Sequence, residues 1–177
     1  MATFTHRLIG AAALDVDTYE EVEADRMATA QAFVVVLASS LATGVGATGF
    51  GGRSWSEVLI FSVAALMGWA AWALLIFQIG GRLLPEPDTR VDVPELLRTI
   101  GFATTPGLLR VLGVYRELAI PVFALTSVWM LVAMIVAVRQ ALDFTSTTRA
   151  IGVCILGWLL AGLIVIALGL WMTPSLS

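Results

Sequence analysis

Lysine is missing from this chain, and histidine and cysteine occur once each, as His6 and Cys154. A single thiol excludes an internal disulfide framework and a cysteine-rich zinc site. A single histidine cannot serve both as base to a nucleophile and in a metal site, and His6 reads as a surface residue. Charge of either sign is scarce, at 13% of residues, against about 25% in soluble domains. The net charge of −3 comes without a basic patch, so nucleic acid is not an expected partner. No Ser/His/Asp set, HExxH helix, glycine-rich phosphate loop or CxxC pair occurs; these patterns mark hydrolysis, metal catalysis, nucleotide binding and thiol redox. An enzyme is not expected, nor is a metal or a cofactor.

Apolar surface is abundant instead: 59% of residues are hydrophobic and the mean hydropathy is +0.92. The natural solvent for such a surface is lipid. Between Arg26 and Arg53 lie 26 uncharged residues, between Glu57 and Arg82 24, between Glu117 and Arg139 21, and from Ala150 onward 28. A helix crossing the hydrocarbon core needs about 20. A fifth segment is shorter, with 11 residues between Arg98 and Arg110, and reaches spanning length only if extended over 94–115. Thr104-Thr105-Pro106-Gly107 lies in its middle. Pro106 and Gly107 predict a helix break there, and a kinked span is favoured over a re-entrant hairpin. The predicted fold is an all-α polytopic membrane bundle with spans near 28–50, 57–80, 94–114, 118–138 and 150–172. Residues 1–26 form an acidic N-terminal segment ahead of a membrane domain over 27–177. Glycines at 49, 51 and 52 end the first span. Gly80 and Gly81 end the second, and a polar loop over 85–88 follows. Asp92 and Pro94 look like a helix start. No cleavable signal is expected, because the apolar stretch within 4–14 is short and Asp15 and Asp17 follow it.

Arginine sets the orientation. With five spans and a cytoplasmic N-terminus, Arg7, Arg26, Arg82, Arg90, Arg98, Arg139 and Arg149 lie inside, and Arg53, Arg110 and Arg116 outside. That excess predicts N-in, C-out topology. The expected location is a bacterial inner membrane. No Asp, Glu, His or Lys falls near the centre of a span, which argues against a proton relay or pump.

Four residue sets stand out. Asp15, Asp17, Glu20, Glu21, Glu23 and Asp25, with Tyr19 among them, form an acidic stretch before the first span. They are candidates for binding a basic partner, against the plainer reading of a solvated helix start; EF-hand spacing is absent. Ala38, Ala42 and Gly46 recur every four residues, as do Ser40, Gly44 and Thr48, and Gly157 with Ala161. Such faces let helix backbones approach closely, within the chain or between copies. Arg110, Arg116, Arg139 and Arg149 are candidates for lipid headgroups or simply satisfy topology. Trp55 and Trp171 suit an interfacial belt, whereas Trp69 and Trp72 lie nearer the middle of the second span. Residues 3–14 can form a short interfacial helix with Phe4 and Leu8 on one face.

The acidic stretch Leu14-Asp-Val-Asp-Thr-Tyr-Glu-Glu-Val-Glu-Ala-Asp25, with Ala28-Thr-Ala-Gln-Ala32 behind it, resembles the lead-in of small bacterial members of the Ypt-interacting-protein (Yip) family. Thr105-Pro-Gly-Leu-Leu-Arg110 resembles that family's third segment. Arg139-Gln-Ala-Leu-Asp-Phe144 and Thr148-Arg-Ala150 resemble its fourth loop. The resemblance implies a polytopic fold with a cytoplasmic N-terminus. Eukaryotic members bind small trafficking GTPases, but the long N-terminal region that many of them carry is not in this sequence. The expected function is a non-enzymatic membrane scaffold or accessory subunit, in contact with lipid and packed with itself or another membrane protein. The alternatives are a lipid scramblase or transporter of small hydrophobic molecules and, more weakly, a pigment- or quinone-binding subunit using Trp69 and Trp72.

Overall fold

The computed structural model describes residues 3–51, 54–85 and 92–172, and every regular element among them is helical. Two short helices lead, α1 (Phe4–Ala12) and α2 (Val16–Ala24). Thr3 caps α1 and Asp15 caps α2, each accepting a backbone N–H three residues on. The first long helix, α3 (Ala28–Ala47), tightens into a 3₁₀ turn over Thr48–Phe50. Next comes α4 (Trp55–Gln78), opened by a capping box between Ser54 and Glu57 and closed by a π turn over Ile79–Leu83. The third membrane segment is split into α5 (Val93–Phe102) and a 3₁₀ segment over Thr105–Val114. Asp92 holds the N-cap position of α5, but its side chain makes no capping bond, and Pro94 opens the helix. The last two are α6 (Arg116–Ala141) and α7 (Thr147–Met172). Arg53, Arg90 and positions 86–88 lie outside the described residues, as does the Trp171 side chain.

Among the described residues three helices are long and apolar enough to cross a membrane: Ala28–Phe50, Trp55–Leu83 and Arg116–Ala141. Thr105–Val114 is a shorter apolar stretch, and Thr147–Ala161, the first part of α7, is apolar as well. The helical membrane bundle predicted from the sequence is therefore present. Leu59, Ile60, Met67, Ile120, Leu125 and Val128 are more than half exposed, the outward-facing apolar dress of a chain solvated by lipid.

The break in the third segment has a local cause. Pro106 carries no N–H, so the carbonyl of Phe102, four residues back, loses its helical partner. The Thr105 hydroxyl donates to that carbonyl at 2.6 Å, and the Thr104 hydroxyl donates to the carbonyl of Gly101 at 2.7 Å. The two threonines thus satisfy backbone acceptors that lipid would leave bare.

The direction of the chain after the break decides between kink and hairpin. Gly101 packs on Ala32, Gly107 on Ser39, the carbonyl of Arg110 on Gly46, and Gly113 on Gly49. The third segment therefore runs alongside α3 in the same direction and does not turn back. From position 32 to 49 α3 climbs about 25 Å. The 12 residues from 101 to 113 would cover about 18 Å as α-helix but about 24 Å as 3₁₀. Stretching into 3₁₀ lets a short segment keep pace with a longer neighbour.

That fit requires glycine. A Cβ built on Gly46 would lie 1.8 Å from the Arg110 carbonyl oxygen, and one on Gly49 would lie 1.9 Å from that of Gly113. The opposing atoms are backbone and cannot swing away. Gly152 in α7 has open space where its Cβ would be. Gly46→Ala and Gly49→Ala are each predicted to destabilise by about 1–3 kcal/mol through overpacking, whereas Gly152→Ala is neutral or stabilising by up to about 1 kcal/mol. Thermal unfolding in mild detergent checks the contrast.

Candidate functional site

Two buried arginines fasten α1 and α2 to the bundle. Arg7 is 2% exposed and donates to Glu21 at 2.9 Å, Asp25 at 2.6 Å and Gln31 at 2.9 Å. Arg98, on α5, donates to the carbonyl of Glu23 and lies 3.5 Å from the Thr29 hydroxyl. Tyr19 is fully buried and donates to the Ala11 carbonyl; its burial pushes the phenol well above its usual range. Trp129 on α6 donates to the carbonyl of Ala12 at 2.8 Å. The apolar face predicted for residues 3–14 therefore covers protein: Phe4 meets Phe102 edge-on at 6.3 Å.

The acidic stretch divides in two. Asp15, Glu21 and Asp25 are engaged inside the chain, and Arg7, then the Met27 N–H, hold Asp25 below the usual carboxylate range. Asp17 is exposed, and Glu20 accepts from Gln140 at 3.0 Å across to α6. Glu23 stands apart. Burial, then the nearby charges of Asp143 and Glu95, push its carboxyl up to about 7 despite the opposing pull of Arg98. Asp143 reaches this neighbourhood because the chain ends α6 in a left-handed turn, with φ of 51° at that residue.

A second polar centre lies within the bundle. The 3₁₀ segment turns Arg110 toward α3 and α6, where its guanidinium donates to Ser127 at 2.9 Å, Thr126 at 3.2 Å and Thr43 at 3.4 Å. It also lies 5.2 Å over the Phe123 ring. The Thr43 and Thr126 hydroxyls spend their own protons on the carbonyls of Ser39 and Val122, leaving lone pairs for the arginine. Thr126 is about 15 Å along α6 from its start, so the guanidinium points toward the middle of the bundle. Among the described residues no carboxylate forms an ion pair with it. Beside it is a cavity of about 230 Å³ lined by Ser39, Ser40, Trp69, Trp72 and Met130 among others. Among the described residues, the buried indole N–H groups of Trp69 and Trp72 have no acceptor.

A family model described as the Yip1 domain matches residues 15–169. The chain belongs to the Yip1 family. No curated protein and no solved structure gives a significant match. This Yip1 chain is an integral membrane protein, as its family and its apolar helices agree. The matched region includes Arg110, Trp69, Trp72 and the paired acids of α2, whereas α1 and its Arg7 precede it.

The remaining candidates are dispersed over the Yip1 domain. Arg116 is exposed at the start of α6. Arg139 donates to the carbonyl of Phe144 at 3.4 Å, and Arg149 to that of Pro85 at 2.9 Å, so both brace turns at the same end of the bundle. Gly46 and Gly157 face neighbours of their own chain, Gly157 meeting Ile76 on α4; Ala42 is buried, and Ala38 and Ala161 are half-buried. Arg7 and Arg98 entered the sequence reading as topology charges only. Apart from Glu95, three positions from Arg98, their partners are 14 to 75 positions away, beyond any local pattern.

The Arg7 clamp has a measurable consequence. Asp25→Asn removes the charge-assisted bond that Arg7 donates to this carboxylate. Amide exchange over residues 4–12 is predicted to accelerate by at least ~10-fold, with exchange in α6 little changed. Since the Asp25 carboxyl is held low, the wild-type clamp persists at neutral pH and is lost as pH falls through that depressed value.

Proposed function

We propose that this protein is a non-enzymatic membrane scaffold or accessory subunit that receives a basic segment of a partner at the acidic end of its bundle. One observation carries the reading. Carboxylates from three separate elements, Glu20 and Glu23 of α2, Glu95 of α5 and Asp143 after α6, gather at one end, and their charges add to the burial that raises Glu23. Arg7 is taken up by Glu21 and Asp25, and Arg98 by the Glu23 carbonyl and, at 3.8 Å, by Glu95, so Glu20, Glu23 and Asp143 keep an excess of negative charge at this end. A cationic partner offsets that excess, and folding holds the acids ready for it.

This end faces the cytoplasm in the N-in topology that arginine favours, and the host membrane is then a bacterial inner membrane. The lipid-exposed faces of α4 and α6 are available to a second copy or another membrane protein. Close packing at Gly46 and Gly157 is consumed within the chain, so association through those two positions is not part of the proposal. The alternative, lipid scrambling or transport of small hydrophobic molecules, separates cleanly: the scaffold reading gives lipid flip rates in proteoliposomes equal to those of empty vesicles.

The test is copurification from native membranes, comparing wild type with Glu20→Lys/Asp143→Lys. A partner retained by wild type and lost from the variant supports the proposal; an identical partner set contradicts it. A pH titration gives a second reading. The folded carboxyl of Glu23 is raised to about 7, so the native state holds an extra proton between the ordinary glutamate range and 7. Stability therefore falls as pH rises through this window. The thermal midpoint is expected to be higher at pH 5.5 than at pH 8, and Glu23→Gln is expected to flatten that difference.

A further inference from the structure

We infer that the Arg110 cavity is a binding site for an oxyanion-headed amphiphile, a carboxylate or phosphate monoester carried on an apolar body. Three independent features of the molecule meet there. The first is charge. A guanidinium inside a membrane span is costly unless paired, and the partners of Arg110 are the neutral hydroxyls of Thr43, Thr126 and Ser127. These take three of its five N–H groups. Two N–H donors and the whole positive charge remain for an anion, in the planar geometry that carboxylate and phosphate match.

The second feature is the pair of orphaned indole donors. Trp72 is 7% exposed, and its N–H, like that of Trp69, is buried without an acceptor among the described residues while both rings line the cavity. Buried donors without partners are rare in finished cores. Their rings also supply flat apolar surface beside the arginine. The third feature is Gly68, one turn from Trp72 on α4. Glycine is a poor residue in a helix interior, and packing does not require it here: nothing lies within 4 Å of where its Cβ would be. Gly68 lines the same cavity. Gly68 is exposed at the rim of the cavity, so a larger side chain there would stand across its mouth.

The volume and its surroundings set the shape of the ligand. About 230 Å³ is less than the roughly 300–1,000 Å³ that encloses a whole drug-sized ligand. It suits a head and the first part of a chain. Trp69 also borders a second cavity of about 470 Å³, almost wholly apolar, bounded by Phe33, Leu74, Phe77 and Leu97 between α3, α4 and α5. Its lining of aliphatic and aromatic side chains suits an aliphatic tail, and Trp69 is the wall the two cavities share. The apolar body is thus aliphatic, and the head carries the recognition.

Titration calorimetry with dodecyl phosphate, using the full chain in an uncharged maltoside detergent, tests the inference. Wild type is expected to bind one equivalent, and Arg110→Met to weaken binding at least ~10-fold, as loss of a charge-assisted pair implies. Gly68→Leu, whose side chain enters open space, is expected to keep the thermal midpoint and lose binding to a similar degree. It keeps the test decisive if Arg110→Met fails to fold. Inorganic phosphate and dodecanol serve as competitors. Displacement by phosphate at comparable concentration supports the oxyanion site and assigns its ligand to solution. Displacement only by anions bearing a chain supports it and assigns the ligand to the membrane. Equal displacement by dodecanol, or undiminished affinity in a folded Gly68→Leu protein, overturns it.

Discussion

Along the middle of this molecule two backbones touch with no side chain between them. Gly46 meets the carbonyl of Arg110, and Gly49 meets that of Gly113. In lipid, association between helices cannot draw on the hydrophobic effect and depends on such close packing. The contact fixes the depth and direction of the 3₁₀ segment, which in turn sets where Arg110 emerges and brings its guanidinium to Thr43 and Thr126. It also places α5 beneath α2, so that Arg98 can reach the Glu23 carbonyl. Loss of the contact would separate the polar interior from the acidic end together.

The two polar regions follow different logic. At the N-terminal end, arginines are neutralised: Arg7 has two carboxylates and Arg98 has a carbonyl with Glu95 at 3.8 Å. Breaking such buried pairs is costly because one charge is then left alone. They act as fasteners. Arg110 has neutral partners, three hydroxyls and the Phe123 ring, and among the described residues no carboxylate, so its charge is not neutralised. The same side chain therefore does structural work in one place and holds unspent recognition in another, and the presence or lack of a carboxylate separates the roles.

Much of the architecture was legible because lipid imposes it. Long uncharged runs located α3, α4, α6 and α7, and the Yip resemblance is confirmed by the domain match over residues 15–169. Thr104-Thr105-Pro106-Gly107 was readable as a break, since Pro106 must free a carbonyl whatever surrounds it. The 3₁₀ form of the following ten residues was not readable: it arises from matching the rise of α3, a tertiary constraint with no local signature. The sequence position of Arg110, near the end of a span, suits a lipid headgroup contact or a topology charge equally. The structure carries it inward, to hydroxyls 16, 17 and 67 positions away. Asp25 and Glu21 looked like free surface acids, and only folding shows them committed to Arg7.

The contacts of Arg110 require the third segment to travel the full length of α3 rather than fold back. In a Cys154→Ser background, single cysteines at the exposed positions Asp92 and Tyr115 can be labelled with a membrane-impermeant maleimide in sealed, oriented vesicles. The account predicts that the two react from opposite sides. Labelling of both from the same side would mean that the segment re-enters, and the packing of Arg110 on α3 would have to be abandoned.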